Sequence, residues 1–192
     1  MKNVARLLPA VCFFIHVAGA DAALITSEIS LDALQSVPAN PSTATGTATV
    51  EFDTAGLTLN LSLSVIGISL ADVTFPGGGL AFGGIGPVHI HEAAAGSTGP
   101  VVVPFPDAVD YTDTASGFDL SSSGVSFAST LLPAITSGAV YLNVHTLTNP
   151  SGEIRGQLVP SSAVPLPPTS FVLATGLLAM IFRTRRGLRA LA

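Results

Sequence analysis

The 192-residue chain has no tryptophan, one cysteine, two tyrosines and only 10% charged residues. With a single cysteine no internal disulfide can brace it, so stability has to come from buried apolar surface. Basic residues are scarcer than their total of 7 suggests, because Lys2 and Arg6 stand at the start and Arg183, Arg185, Arg186 and Arg189 at the end. Arg155 is therefore alone between them, while all twelve acidic residues fall from Asp21 to Glu153. Such a balance repels polyanions, which excludes a nucleic-acid partner and favours cations. Catalytic patterns are missing as well: there is no Gly-x-Ser-x-Gly turn, no His-Glu-x-x-His helix and no cysteine nucleophile beyond Cys12.

What the chain does have is Ala, Gly, Ser, Thr, Val and Leu in short alternating runs with turn formers between them, which favours β structure. Residues 1–20 have a short basic start, an apolar stretch and the small-x-small ending Ala18-Gly19-Ala20, the pattern of a secretory signal peptide. Beyond it the spacing predicts strands over 24–34, Thr45–Asp53 and 57–66, with a turn at 53–56. In Leu57-Thr-Leu-Asn-Leu-Ser-Leu-Ser-Val65 apolar and small polar residues alternate strictly, as in a strand with one face in a core. The Gly-rich segment 75–87 lacks the Lys-Ser/Thr ending of a phosphate loop and reads as a mobile loop. A strand limited by Pro104 follows over 99–105, then a solvated acidic loop with Asp107, Asp110, Asp113 and Asp119, whose spacing does not fit an EF-hand. A helical turn interrupted at Pro133 is expected within 126–137, and a hairpin joins strands 139–146 and 152–159 through the turn formers of 147–152.

From residue 161 the composition changes again: Val164-Pro-Leu-Pro-Pro168, an apolar segment 169–182 and a basic tail 183–192. The apolar core of that segment, about twelve residues at 1.5 Å each, reaches only about 18 Å of a roughly 30 Å bilayer core, so it suits a transient anchor. The basic flank of Arg183, Arg185 and Arg186 agrees with the positive-inside rule. This tail resembles the PEP-CTERM sorting signals, closest to the variant beginning Val164, Pro165, Leu166, Pro167, with Leu166 standing where the family name has Glu. The resemblance implies an exosortase-type sorting enzyme as partner, transient membrane contact, and delivery to the cell envelope or extracellular matrix of a Gram-negative bacterium.

Chemistry concentrates in two segments, Gly86-Pro-Val-His-Ile-His-Glu92 and Tyr141 to Gln157, which hold all the histidines after His16. Residues i and i+2 of a strand share a face, so His89 and His91 oppose Val88 and Ile90. By the same parity Tyr141, Asn143 and His145 oppose Val140, Leu142 and Val144, and Glu153, Arg155 and Gln157 oppose Ile154 and Leu158. A hairpin turning near Asn149 pairs His145 with Glu153, Asn143 with Arg155 and Tyr141 with Gln157. The expectation is a polar outer face of His89, His91, His145, Glu153, Arg155 and Asn143. Two readings of the histidines stand: a three-imidazole site for zinc or copper with Glu92 or Glu153 behind the ligands, or imidazoles that brace the fold through hydrogen bonds.

Val88-His-Ile-His-Glu92, Tyr141-Leu-Asn-Val-His-Thr146 and Asn149-Pro-Ser-Gly-Glu-Ile-Arg-Gly-Gln-Leu158 also resemble the CHRD domain, over residues 23–160. That resemblance implies an extracellular, immunoglobulin-like β-sandwich used for interaction or structure. The His-x-His strand is similar as well to the copper-ligand strand of Cu/Zn superoxide dismutase, although dismutases have further histidines, an Asp ligand and usually a disulfide. The expected fold is an all-β antiparallel sandwich, flanked by a signal peptide and a membrane segment. The expected function is a secreted binding or structural module, with an extracellular polysaccharide or matrix protein as its partner; the alternative is a Cu/Zn-binding protein with redox or dismutase-like activity.

Overall fold

The computed structural model describes residues 23–75 and 79–165. The expected signal peptide 1–20, Leu166 and Pro167 of the expected sorting motif, the expected membrane segment 169–182 and the tail bearing Arg183, Arg185 and Arg186 lie outside the described residues. Among the described residues no helix is long and apolar enough to cross a membrane.

Strand β1 (Ala23–Asp32) pairs along its length with β2 (Thr45–Asp53), which pairs in register with β3 (Thr58–Ile66). The β2–β3 turn forms as its sequence predicts, because the Asp53 carboxylate accepts from the N–H groups of both Ala55 and Gly56 at 2.9 Å. In β3 the alternation is realised in full: Leu59, Leu61, Leu63 and Val65 are buried, while Asn60, Ser62 and Ser64 are exposed.

The acidic stretch corrects the expected loop. After a single 3-10 turn at Ala108–Asp110 the chain forms β6 (Tyr111–Asp113) and β7 (Gly117–Ser126), and β7 pairs with β3. Tyr111, Phe118 and Leu120 are buried while Asp113 and Asp119 are exposed, so apolar residues at strand spacing run through the acidic ones. Pro133 corrects a second expectation: it lies in the first turn of α1 (Leu132–Thr136), where its missing N–H costs nothing, and so it starts the helix rather than interrupting it.

The other arm contains β4 (Val88–Glu92), β5 (Val101–Pro104), β8 (Val140–Val144) and β9 (Ile154–Leu158). β5 is an edge strand, which suits Pro104 at its end. Asp32 of β1 pairs with Arg155 of β9, so the order β5-β4-β8-β9-β1-β2-β3-β7-β6 is one continuous antiparallel sheet. β10 (Ser162–Pro165) pairs with the start of β1, which draws Val164 and Pro165 into the sheet beyond the expected boundary at residue 160.

The sheet curls as a half-barrel instead of dividing into two separate sheets, because β1 serves both arms at once. Its inner faces meet in one core: Val50, Phe52, Leu61, Leu63 and Phe118 from one arm, and Val88, Ile90, Leu142, Val144 and Ile154 from the other. Leu63→Ala removes a fully enclosed side chain and is expected to cost about 2–5 kcal/mol, whereas Ser62→Ala beside it should stay within about 0.5 kcal/mol. Urea unfolding of the two variants checks this, and equal losses would contradict the assigned faces.

Candidate metal centre

β4 lies beside β8, with His89 opposite Asn143 and His91 opposite Tyr141. β8 pairs with β9 as the hairpin predicts, Asn143 with Arg155 and Tyr141 with Gln157. His145 and Glu153 come one step past the last ladder pair, where the Glu153 N–H donates to the Val144 carbonyl at 2.7 Å. Strand parity therefore gathers His89, His91, Asn143, His145 and Arg155 on one face.

That face is buried, which corrects the expected outer surface: all five residues are at most 8% exposed. The connection between β4 and β5 folds back across it, held by Arg155 and Gln157. The guanidinium donates to the carbonyls of Ser97 (2.7 Å) and Ala94 (3.2 Å), and the Gln157 amide to that of Ala93 (3.0 Å). From the β1–β2 connection, Ser36 and Asn40 donate to the Glu153 carbonyl. The described part of the Gly-rich segment contributes Phe82, whose ring lies 5.5 Å from that of His145. Each of these hydrogen bonds gives a polar group of the covered face or its cover a partner away from water.

The three histidines converge. One ring nitrogen from each lies within 4.8 Å of the others, and no carboxylate joins them in this group among the described residues. Every Nδ1 faces a backbone carbonyl: His89 that of Gly86 (3.2 Å), His91 that of Gly99 (2.8 Å) and His145 that of Pro150 (2.9 Å). A carbonyl can only accept, so each Nδ1 carries the proton and each neutral ring keeps its lone pair on Nε2. The Nε2 atoms of His91 and His145 are 3.4 Å apart. A hydrogen bond between them would require one ring to be an imidazolium, which burial opposes. Two ligands of a tetrahedral ion at about 2.0–2.1 Å stand about 3.3–3.4 Å from each other, close to that separation. Three neutral imidazole nitrogens suit zinc, copper, iron or nickel, and a backbone carbonyl behind each ring is the usual way such a ligand is oriented.

Two glycines make the anchoring possible. Gly86 has φ +71°, and a Cβ there would collide with the Phe105 carbonyl; one at Gly99 would collide with that of Glu92. Neither carboxylate expected behind the ligands reaches the trio. Glu92 is exposed, and Glu153 is bound by Ser42 Oγ and Thr146 Oγ1, each at 2.6 Å. Burial pushes the Glu153 carboxyl up, but hydrogen bonds from Ser42, Thr146 and Asn149 outweigh this and hold it below its ordinary value. Tyr141 was missing from the expected polar set. Its ring stacks on His91 (4.8 Å between centroids, 3° between planes), and the Arg155 guanidinium carbon lies 3.5 Å from its centroid on a cation–π contact. The parity of β8 already put Tyr141 on this face, two residues before Asn143.

Burial, then repulsion from His145 and His91, lowers His89 to about 3. Burial likewise lowers His145 to about 4, against the hydrogen bond to Pro150, and lowers His91. With folded values below the unfolded value of about 6.5, these groups contribute stability that is complete above pH 6.5 and is lost as pH falls from there through the folded values of about 4 and about 3. His89 alone should cost the metal-free protein roughly 3 kcal/mol at pH 4. Glu153, with its lowered value, acts only below about pH 4.5, so between pH 6.5 and 4.5 the histidines act without it. The melting temperature of metal-free protein is expected to fall steeply between pH 6.5 and 4.5; a flat profile there would contradict the neutral, buried trio.

No curated protein and no solved structure matches the chain. A family model does, the CHRD domain, over residues 27–158. The match takes in most of β1, all of β2 to β9 and every residue of the histidine trio. The chain belongs to the CHRD domain family.

Proposed function

We propose that this chain is a secreted CHRD module of the bacterial cell envelope or extracellular matrix that holds one zinc or copper ion on His89, His91 and His145. The observation that carries the metal reading is the shared arrangement of the rings: each Nδ1 proton is committed to a backbone carbonyl, one ring nitrogen of each histidine lies within 4.8 Å of the others, and Nε2 of His91 faces Nε2 of His145. A bracing histidine uses its second nitrogen on another protein group. Here the Nε2 atoms of His91 and His145 have each other, at 3.4 Å. The face-to-face packing of the two arms supports the finer reading of an immunoglobulin-like or superoxide-dismutase-like sandwich.

The module acts by binding, with a matrix polysaccharide or protein as its partner class, and the ion stabilises the face that loops 33–42 and 93–100 cover. Metal binding to the folded state alone adds to stability by mass action. Equilibrium dialysis of the full chain against micromolar Zn²⁺ and Cu²⁺ is expected to give one ion per chain. His91→Gln and His145→Gln should each weaken binding by more than about a hundredfold, since loss of a group merely behind a ligand already costs about 10- to 100-fold. Retention of neither metal by the wild type would end the reading.

The route to the envelope is a separate part of the proposal. It is supported by the order of Val164-Pro-Leu-Pro167, an apolar segment and Arg183, Arg185 and Arg186, together with the small-x-small ending at Ala20. Mass spectrometry of the mature protein from a host with an exosortase should find a product lacking both ends. A product that still ends at Ala192 would refute the processing.

A further inference from the structure

We infer that the ion selected by the trio is copper in its cuprous state, and that Arg155 enforces this preference through Tyr141; the inference rests on the metal-site reading above. The first argument is charge. The trio supplies three neutral donors, and the group contains no carboxylate or thiolate among the described residues. The carboxylate nearest in the hairpin, that of Glu153, is tied to Ser42 and Thr146. A divalent ion on His89, His91 and His145 would keep its full charge in a site at most 8% exposed. The cost of desolvating an ion grows as the square of its charge, so a monovalent ion pays about a quarter as much.

The second argument is the cation already present. Arg155 is 2% exposed, and the partners of its guanidinium are the carbonyls of Ser97 and Ala94, the Gln157 amide oxygen and the face of Tyr141. None of these carries a formal charge, so the positive charge of Arg155 is not neutralised locally. It is directed at the trio through a stack: the guanidinium lies 3.5 Å above Tyr141, Tyr141 is parallel to His91 at 4.8 Å, and His91 Nε2 meets His145 Nε2 at 3.4 Å. At about 10 Å and an effective dielectric constant of about 20, a unit charge disfavours each further positive charge on the ion by roughly tenfold to twentyfold.

The third argument is coordination. Zinc bound by three protein ligands completes its tetrahedron with water, whereas cuprous copper, a d¹⁰ ion like zinc but with half its charge, is satisfied by three donors. Imidazole suits copper, and no further His, Cys, Asp or Glu is grouped with these three among the described residues. Asn143, the neighbour of His89 across the ladder, adds only a neutral amide, whose buried Oδ1 has no hydrogen-bond partner.

The test uses the purified full chain. Cu(I), kept reduced by ascorbate without oxygen, is titrated in competition with a chromophoric Cu(I) chelator, Zn²⁺ and Cu²⁺ are titrated against chelators of their own, and the midpoint potential of the copper form is measured. The expected result is one Cu(I) per chain, held more tightly than Zn²⁺, with a potential above that of the aqueous Cu(II)/Cu(I) couple, meaning that Cu(I) is bound more tightly than Cu(II). Arg155→Gln should lose about tenfold of that preference, which is 59 mV for one electron, while Arg155→Lys retains it. A potential at or below the aqueous couple, or Zn²⁺ bound at least as tightly as Cu(I), overturns the inference and leaves the metal site standing. Failure to bind any of the three ions overturns both. If Arg155→Gln loses its folded circular-dichroism spectrum, the wild-type potential and the Lys variant still decide: a Lys variant whose potential falls as far as 59 mV overturns the role of charge.

Discussion

The pairing of β4 with β8 is the constraint on which the site depends. With His89 opposite Asn143 and His91 opposite Tyr141, the apolar residues Val88, Ile90, Leu142 and Val144 all enter the core while the histidines share the other face. A slip of one residue would put the two imidazoles of β4 into that core and turn Val88 and Ile90 onto the polar face. The same parity passes across β8 to β9, where Arg155 and Gln157 fall in line with Asn143 and Tyr141. Register, set by packing on one side of the sheet, thus fixes chemistry on the other.

A polar face can be buried only if its donors and acceptors are satisfied, and here the loops that cover it do most of that work. Arg155 donates to carbonyls in the β4–β5 connection, and the Gln157 amide donates to Ala93, Gly138 and Val140. The rings of the trio use the carbonyls of Gly86, Gly99 and Pro150, all of which lie outside strands. The cover and the site are therefore one structure. Loosening the β4–β5 connection would expose an arginine and release His91 from Gly99 together.

Much of this was legible in the chain, because the period of two in 57–65, 88–92 and 140–158 survives intact in the strands. The pairing of Asn143 with Arg155 followed from the turn formers between β8 and β9. β6 and β7 were hidden because Asp110, Asp113, Asp119 and the serines of 121–123 surround only three inward residues, Tyr111, Phe118 and Leu120. That the polar face is covered was not legible either. Residues 93–99 read as small and polar, and what draws them over the sheet is Arg155, some 60 residues away in sequence. The adjacency of β4 and β8 is equally long-range: it depends on which strand fills the place beside the hairpin, and no local pattern decides that.

Orientation of the rings is what separates a brace from a binding centre. A histidine that braces a fold gives its proton to one protein group and its lone pair to another, so both nitrogens hold the chain together. In this trio all three protons are spent outward on backbone carbonyls, and the remaining lone pairs of His91 and His145 face each other at 3.4 Å. Two acceptors at that separation repel, and a proton between them would create an imidazolium where burial already lowers His145 to about 4. The fold thus holds these nitrogens in an arrangement that is unfavourable for the imidazoles alone and favourable around a cation. Gly86 and Gly99 point the same way, since each lets a carbonyl sit where a side chain would collide with the backbone, and each of those carbonyls aims one ring.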